Sequence, residues 1–450
     1  KKIILENNSQ INTSKILILI LKNINRQRKK QILFLIILMI FSSLSETFLL
    51  SSIVPFIISF TNKIYYGDNV FESQSSFYSI PIFEDKSILF FASIFILAVF
   101  LCTVIRLSNL WFNAKLASAI GSDLCSKAYY KTLNQCYEKH LSWNTSSLIA
   151  TVTTEVGMVV EALNMFFQVI TSFLVASGLI VAMFIINWKA AIIGIICFSI
   201  AYFFIALLTK NKLKKNSVLF SELNKYQFKS LQEGFGSIKD IILDRNQDIY
   251  VKNFSEKNRF MRTIQAENQF LTFSPKFALE CFSLSIIVIF TYFLSINTKN
   301  PSSILPTLVA IALGAQRILP VLQQGYAGWA TFKASKDAIL NVLALLQLPV
   351  NSYKDLSNKE NRTILKIKES IELKNIKYSY PQSSKVILKD INLKIFKNDF
   401  VGLIGSSGSG KSTLIDIIIG LLNVKKGSIS IDGNDINPNT REGFKNNISW

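Results

Sequence analysis

Apolar and polar positions are unevenly distributed along this chain. Six apolar runs of membrane length fall at roughly 31–60, 87–113, 163–187, 189–209, 277–297 and 302–325. Each supplies the ~20 apolar residues that an α-helix needs to cross a hydrocarbon core. The second and third runs are joined by about 50 residues, and the fourth and fifth by more than 65, both of helical character. Helices carried through those stretches rise ~1.5 Å per residue and reach tens of ångströms beyond the lipid. Residues 13–25, apolar and then basic, predict a short helix lying on the membrane surface. After residue 346 the pattern changes. Residues 347–369 are polar and rich in Asn, Ser, Lys and Asp, as expected of a linker. Beyond them, 371–376, 391–395 and 428–431 alternate as strands do, and Asp432-Gly433 is a turn signal. The predicted division is therefore an N-terminal segment (1–30), an all-α six-helix membrane domain with long helical extensions (31–346), a linker (347–369) and the first part of an α/β domain (370–450).

Charge gives the helices a direction. Lys22, Arg26, Arg28, Lys29 and Lys30 precede the first run, and 210–276 holds thirteen Lys and Arg. The 61–86 loop sets Lys63 and Lys86 against Asp68, Glu72, Glu84 and Asp85. An excess of Lys and Arg marks the cytoplasmic side, so the N-terminus, both long connections and the C-terminal domain are expected inside. That clustering also accounts for the net charge of +20 without nucleic acid as a partner. Five cysteines form no C-x-x-C pair, and with one histidine, His140, a His-based metal site or triad is not expected. No cleavable signal is evident, because the run after the basic 22–30 stretch is too long for one. The chain begins without Met and ends inside a recognisable pattern, so it is expected to be a fragment.

That pattern centres on Gly405-Ser406-Ser407-Gly408-Ser409-Gly410-Lys411-Ser412, followed by Thr413. It matches G-x-x-x-x-G-K-[ST], the loop that cradles nucleotide phosphates. Phe400 to Ile404 reads as a buried strand leading in, and Lys411 to Leu422 as an apolar helix leading out. Glycines let backbone N–H groups and the helix N-terminus face the phosphates. Lys411 would reach the β- and γ-phosphates of ATP, and the Ser412 hydroxyl would ligate Mg²⁺.

Six long helices with two large cytoplasmic extensions, then this loop, resemble an ABC exporter half-transporter. The segment Tyr378-Ser379-Tyr380-Pro381, followed by Val386 to Ile391, is similar to the family's adenine-stacking loop and the strand after it. The resemblance implies that Tyr380 stacks on adenine, with Val386 in the same binding set. Gly427 to Gly433 also matches the family pattern. The family's glutamine loop, LSGGQ-type signature, Walker B glutamate and switch histidine have no counterpart here. The likeness stops at Asn447-Ile448-Ser449-Trp450, so no catalytic residue is expected within this stretch. In this family one subunit's signature completes the other's site, which implies a second half-transporter subunit, a homodimer in the simplest case. The regions Tyr137–Ile149 and Glu233–Asp244 resemble the family's coupling helices.

The charged residues that stand out in or next to the apolar runs are Glu46, Arg106, Lys276, Glu280 and Arg317. Each costs about 2.5–3.5 kcal/mol on insertion scales, so each needs a reason. Lys276 and Glu280 are spaced to pair on one helix face, and Glu46 and Arg106 to pair between the first two spans. Internal ion pairs and a polar cavity are both consistent with this. The segments around Glu46, Arg106, Lys276 and Arg317 resemble the spans of bacterial lipid-linked oligosaccharide flippases, which work in the inner membrane. That resemblance implies that Arg106, Lys276 and Arg317 face a pyrophosphate in the substrate cavity. A lysine at 276 stands where the pattern has arginine and lacks its bidentate fork. The functions expected are ATP-driven flipping of a lipid-linked glycan or related amphiphile, or drug or peptide export on the same scaffold. A nucleotide-sensing membrane regulator without transport is the reading from another class.

Overall fold

The computed structural model describes residues 13–66, 88–297, 301–349, 367–380, 385–424 and 426–436. Most of the expected 61–86 loop and 347–369 linker, Pro381 and the Asn447–Trp450 end lie outside the described residues. The chain divides into two compact units, one of Lys1–Ala128 with Ile149–Leu346, the other of Tyr129–Leu148 with Gln347–Trp450.

The first unit is helical: α1 (Thr13–Asn23), α2 (Arg26–Tyr66), α3 (Ile88–Leu133), a π-helical turn (Thr151–Glu155), α6 (Val156–Gly236), α7 (Ile238–Leu243), α8 (Gln247–Asn297), α9 (Pro301–Ala334) and α10 (Lys336–Leu346). Between the last residues of α3 and the π turn come the short α4 (Tyr137–Ser142) and α5 (Thr145–Ala150). Among the described residues, three helical stretches are long and apolar enough to cross a membrane: Arg26–Ile57, Ile88–Leu133 and Thr145–Ile185. The other three expected runs fall on the later part of α6 and on α8 and α9.

Helical assignment is continuous over the 81 residues of α6, yet the chain cannot be straight there. Ser221 Oγ donates to Glu155 Oε1 at 2.7 Å although the two are 66 residues apart. A straight helix would separate them by ~100 Å at 1.5 Å per residue. Met158 also packs against the cluster that buries Phe220. Both pairs centre near Trp188, so α6 doubles back there into two antiparallel limbs, which agrees with separate runs at 163–187 and 189–209. Glu155 is fully buried where the limbs and α10 meet. Its Oε1 also accepts from Asn341 Nδ2 at 2.9 Å and lies 3.7 Å from Lys225 Nζ.

The largest core lies where α1 meets the long helices. Ile16, Ile20 and Ile24, four residues apart, make one buried stripe on and just beyond α1. They pack in a cluster with Leu35 and Met39 of α2, Leu116 and Ile120 of α3, and Ile339 and Leu343 of α10. Lys127 Nζ holds the end of α1 by donating to Asn23 O at 3.1 Å. Ile18 and Leu21 on the opposite side of α1 are exposed.

The second unit carries a four-stranded antiparallel sheet in the order β2-β1-β3-β4, with β1 Ser370–Tyr378, β2 Leu388–Phe396, β3 Lys426–Ile431 and β4 Asn434–Asp435. These are the expected strands, somewhat extended. Asp432 and Gly433 both have positive φ (48° and 79°), the type I′ geometry that joins two twisted strands. The Asp432 carboxylate accepts from the backbone N–H groups of Lys368, Glu369 and Ser370 at 2.7–2.9 Å.

Two expectations need correction. Phe400–Ile404 is not a buried strand: the segment is irregular, and Phe400 and Ile404 are fully exposed. Strand geometry needs a pairing partner, and among the described residues no strand pairs with this segment. The helix after the loop, α11, covers Lys411–Ile418 and stops short of Leu422. Gly420 (φ 76°) ends it, with Leu421 N bonded to Asp416 O at 2.8 Å and Gly420 N to Ile417 O at 3.0 Å. These are the two bonds of a Schellman C-terminus.

Candidate functional site

The GSSGSGKS segment leads directly into α11. Gly408 and Gly410 take φ of 79° and 95°, a backbone region that side-chain-bearing residues avoid. Gly410 begins α11 without a side-chain cap, so among the described residues no capping side chain covers the first-turn N–H groups. Ser409 N closes a turn on Ser406 O at 3.2 Å. A Cβ built on Gly402 or Gly408 would meet nothing within 4 Å, which leaves open space in front of the loop. Lys411 Nζ curls back to donate to Gly405 O at 2.7 Å and Ser406 O at 2.9 Å. Ser406, Ser407, Ser409 and Ser412 are exposed. Uncapped N–H groups, a lysine and a free hydroxyl around open space make a donor set suited to a Mg²⁺-bound triphosphate.

The aromatic partner lies close by. Tyr380 OH and Thr413 Oγ1 are 3.1 Å apart, and Thr413 is buried. The Tyr380 ring meets Tyr378 edge-on at 5.3 Å. Val386 is half-buried two residues before Leu388, whose Cδ2 would lie 2.9 Å from a Cβ at Gly410. The structure thus gathers Tyr380, Thr413 and the start of α11, and sets Ile387 and Leu388 against the loop's last glycine.

One contact was not legible from the motif. Helix α4 packs in the same unit, with Tyr137 against the core of Leu373, Ile376, Tyr378, Leu388 and Ile417. Glu138 Oε1 accepts from Tyr378 OH at 3.4 Å and from Asn423 N at 3.3 Å. Burial, and then the Glu138 charge, raise the Tyr378 hydroxyl pKa. Burial followed by Asp416 does the same for Tyr137, and burial raises Asp416. The family likeness marked 137–149 as a coupling region. An acidic residue in the first turn of a six-residue helix gave no signal of its target.

A second cluster sits among the apolar helices of the first unit. Glu46 of α2 is 6% exposed, with Arg106 of α3 at 3.5 Å and Arg317 of α9 at 3.9 Å. The three line a cavity of about 200 Å³ with Leu49, Val99, Cys102, Thr103, Leu107 and Leu110. The expected Glu46–Arg106 pair is present. Arg317 joins it, an arrangement that no sequence spacing encodes because three helices contribute. Lys276 is exposed with its Nζ 5.8 Å from the Phe277 ring centre, and it does not line this cavity. Among the described ion pairs none joins Lys276 to Glu280.

Comparison with known proteins places this geometry in context. The ABC transporter transmembrane region family matches residues 31–316, and the ABC transporter family matches residues 388–450. An export ATP-binding/permease protein of Rickettsia bellii is 25% identical over 79% of this chain and 61% of its own length. The alpha-hemolysin translocation ATP-binding protein HlyB of Escherichia coli O157:H7 is 36% identical over 28% of this chain and 17% of its own. A multidrug resistance-like ATP-binding protein, MdlA, of Buchnera aphidicola is 26% identical over 70% of this chain and 53% of its own. The chain spans about three fifths of the Rickettsia protein's length. With the transmembrane match over well over half of its residues and the GSSGSGKS segment inside the second match, this chain belongs to the ABC transporter family, as a transmembrane region followed by an ATP-binding region.

Proposed function

We propose that the complete protein is an ATP-driven exporter of the inner membrane, with the ATP-binding region cytoplasmic. The observation that carries this is the loop into α11, which offers a helix start with no side-chain cap, Lys411 and Ser412 in one chain with membrane-length apolar helices. On nucleotide binding, Lys411 exchanges the Gly405 and Ser406 carbonyls for phosphate oxygens, and Ser412 supplies a metal ligand. Tyr380, anchored by Thr413, gives the adenine an aromatic face. Bound MgATP supplies the phosphoanhydride whose hydrolysis drives the cycle. Helix α4, tied through Glu138 and Tyr137, carries movement of this region towards the spans. Ile238, Ile242 and Leu243 of α7 are exposed apolar side chains, suited to docking on a second copy in a homodimer.

For the cargo, the reading is an amphiphile with an anionic head, such as a lipid-linked oligosaccharide. Arg106 and Arg317 support it: guanidinium groups beside apolar walls match a pyrophosphate on a hydrocarbon tail. Drug or peptide export is the second reading, supported by the names of the HlyB and MdlA relatives. A regulator without transport predicts no cargo-dependent turnover. The test is ATPase activity of the full-length protein in liposomes, with polyprenyl-pyrophosphate glycans added. Stimulation lost in Arg106→Ala and Arg317→Ala is the expected result. No response to any amphiphile refutes transport, and a response to neutral drugs alone refutes the anionic cargo.

A further inference from the structure

The cluster of Glu46, Arg106 and Arg317 is unequal in charge. One carboxylate faces two guanidinium groups, so the set carries a net positive charge among apolar walls. Glu46 is almost fully buried, whereas the Arg106 and Arg317 side chains are 52% and 44% exposed. The separations of 3.5 and 3.9 Å are looser than the ~2.7–2.9 Å of a charge-assisted hydrogen bond. Each guanidinium has five N–H donors, and one carboxylate cannot occupy them all. Unused donors therefore remain beside the cavity, whose other walls include Leu49, Val99, Leu107 and Leu110.

We infer that Glu46 is an internal stand-in for the anionic head of the cargo, and that it sets which charge the cavity accepts. This rests on the anionic-amphiphile reading above. With no cargo, two arginines among the spans would be costly without a counter-ion, and Glu46 offsets that cost. A phosphate or pyrophosphate head has more negative charge and more acceptor oxygens than one carboxylate, so it displaces Glu46 from both arginines. A neutral or cationic amphiphile cannot do so, and it meets an occupied site. Glu46 also links three helices, α2, α3 and α9, so displacement breaks the ion pairs between them as the head group arrives and leaves only apolar packing, such as Leu50 with Ile318. Glu46 is then a specificity-determining residue whose removal tightens binding.

The experiment measures equilibrium binding of radiolabelled farnesyl pyrophosphate and farnesol to the full-length protein in nanodiscs. Wild type, Glu46→Gln, Glu46→Asp and Arg317→Ala are compared, with the melting midpoint of each recorded. Glu46→Gln is expected to bind the pyrophosphate about tenfold more tightly, the scale of removing a partly buried competing charge. Glu46→Asp, whose shorter side chain holds the arginines less well, shifts in the same direction by less. Arg317→Ala weakens pyrophosphate binding, and farnesol binding is unchanged throughout. If Glu46 only staples the helices, its variants melt lower and bind the pyrophosphate no better, which overturns the inference. In that case wild type still prefers the pyrophosphate to farnesol, and the cargo reading stands. No preference in any variant, Glu46→Gln included, overturns both. Should Glu46→Gln fail to assemble, unchanged or weaker binding in Glu46→Asp is the overturning result.

Discussion

Replacing Glu138 by alanine tests whether α4 is fastened to the nucleotide-binding region by a specific polar contact. Tyr378 is 1% exposed, and its hydroxyl reaches Glu138 at 3.4 Å. A hydrogen bond to a charged group contributes about 1.5–3 kcal/mol when well formed, and the length here argues for the low end. Removing the acceptor also leaves a buried hydroxyl unsatisfied, at about 1–3 kcal/mol. The Asn423 amide loses its partner as well, but it is exposed and water replaces it. A loss of about 1–3 kcal/mol is therefore expected. Tyr378→Phe is the control, since it removes the donor and keeps the ring in the core with Leu373 and Ile417. In the double variant the alanine costs less than it does alone, giving a coupling energy of about 0.5–3 kcal/mol. Stability is read by urea denaturation, and hydrogen exchange at Asn423 reports the contact locally. If the two losses add to within about 0.5 kcal/mol, the Tyr378–Glu138 contact carries no energy, and α4 is held by Tyr137 packing and the Asn423 amide.

Lys411→Ala is expected to weaken ATP binding at least about tenfold in equilibrium dialysis, because it removes the loop's one cationic side chain; unchanged affinity would refute its phosphate role. Gly420→Ala forces a side chain into φ 76° and is expected to cost about 1 kcal/mol or more, seen as a lower urea midpoint; no change would show that the Schellman end is not under conformational constraint. The pKa of Asp432 is depressed by the N–H groups of Lys368, Ser370 and Glu369, so its stabilisation is complete above the ordinary carboxylate range. It is lost as pH falls through the depressed value, so the stability gap between wild type and Asp432→Asn is expected to hold from neutrality to about pH 5 and to narrow below about pH 4. A gap that widens in acid would contradict the sign.

Local signals carried far in this chain. The glycine-rich turn into α11, the strands at 371–376 and 391–395 and the Asp432-Gly433 turn depend on near neighbours, and each follows from spacing. Two of the short helices, α4 and α7, fall inside the regions that the family likeness marked. The end of α11 was also encoded, since Gly420 after an apolar helix is a C-terminal signal, but the apolar Leu421-Leu422 obscured it. Phe400–Ile404 illustrates the opposite limit, because an apolar run becomes a strand only when a neighbour pairs with it. Arg317 beside Glu46, and Glu138 beneath Tyr378, depend on elements 271 and 240 residues apart in sequence. No periodicity reports contacts of that kind.

The buried carboxylate of Glu155 gives the α6 hairpin a mechanical character. Ser221, Asn341 and Lys225 all converge on the same oxygen, Oε1, from the returning limb and from α10. A slip by one residue, ~1.5 Å, of the limb that begins at Glu155 would stretch all three contacts together. Partial yielding is disfavoured, because a half-broken set leaves a charge stranded away from water. The two limbs and α10 are therefore pinned to one another at Glu155, so a displacement of one limb at this point is passed to its neighbours until the whole set gives way.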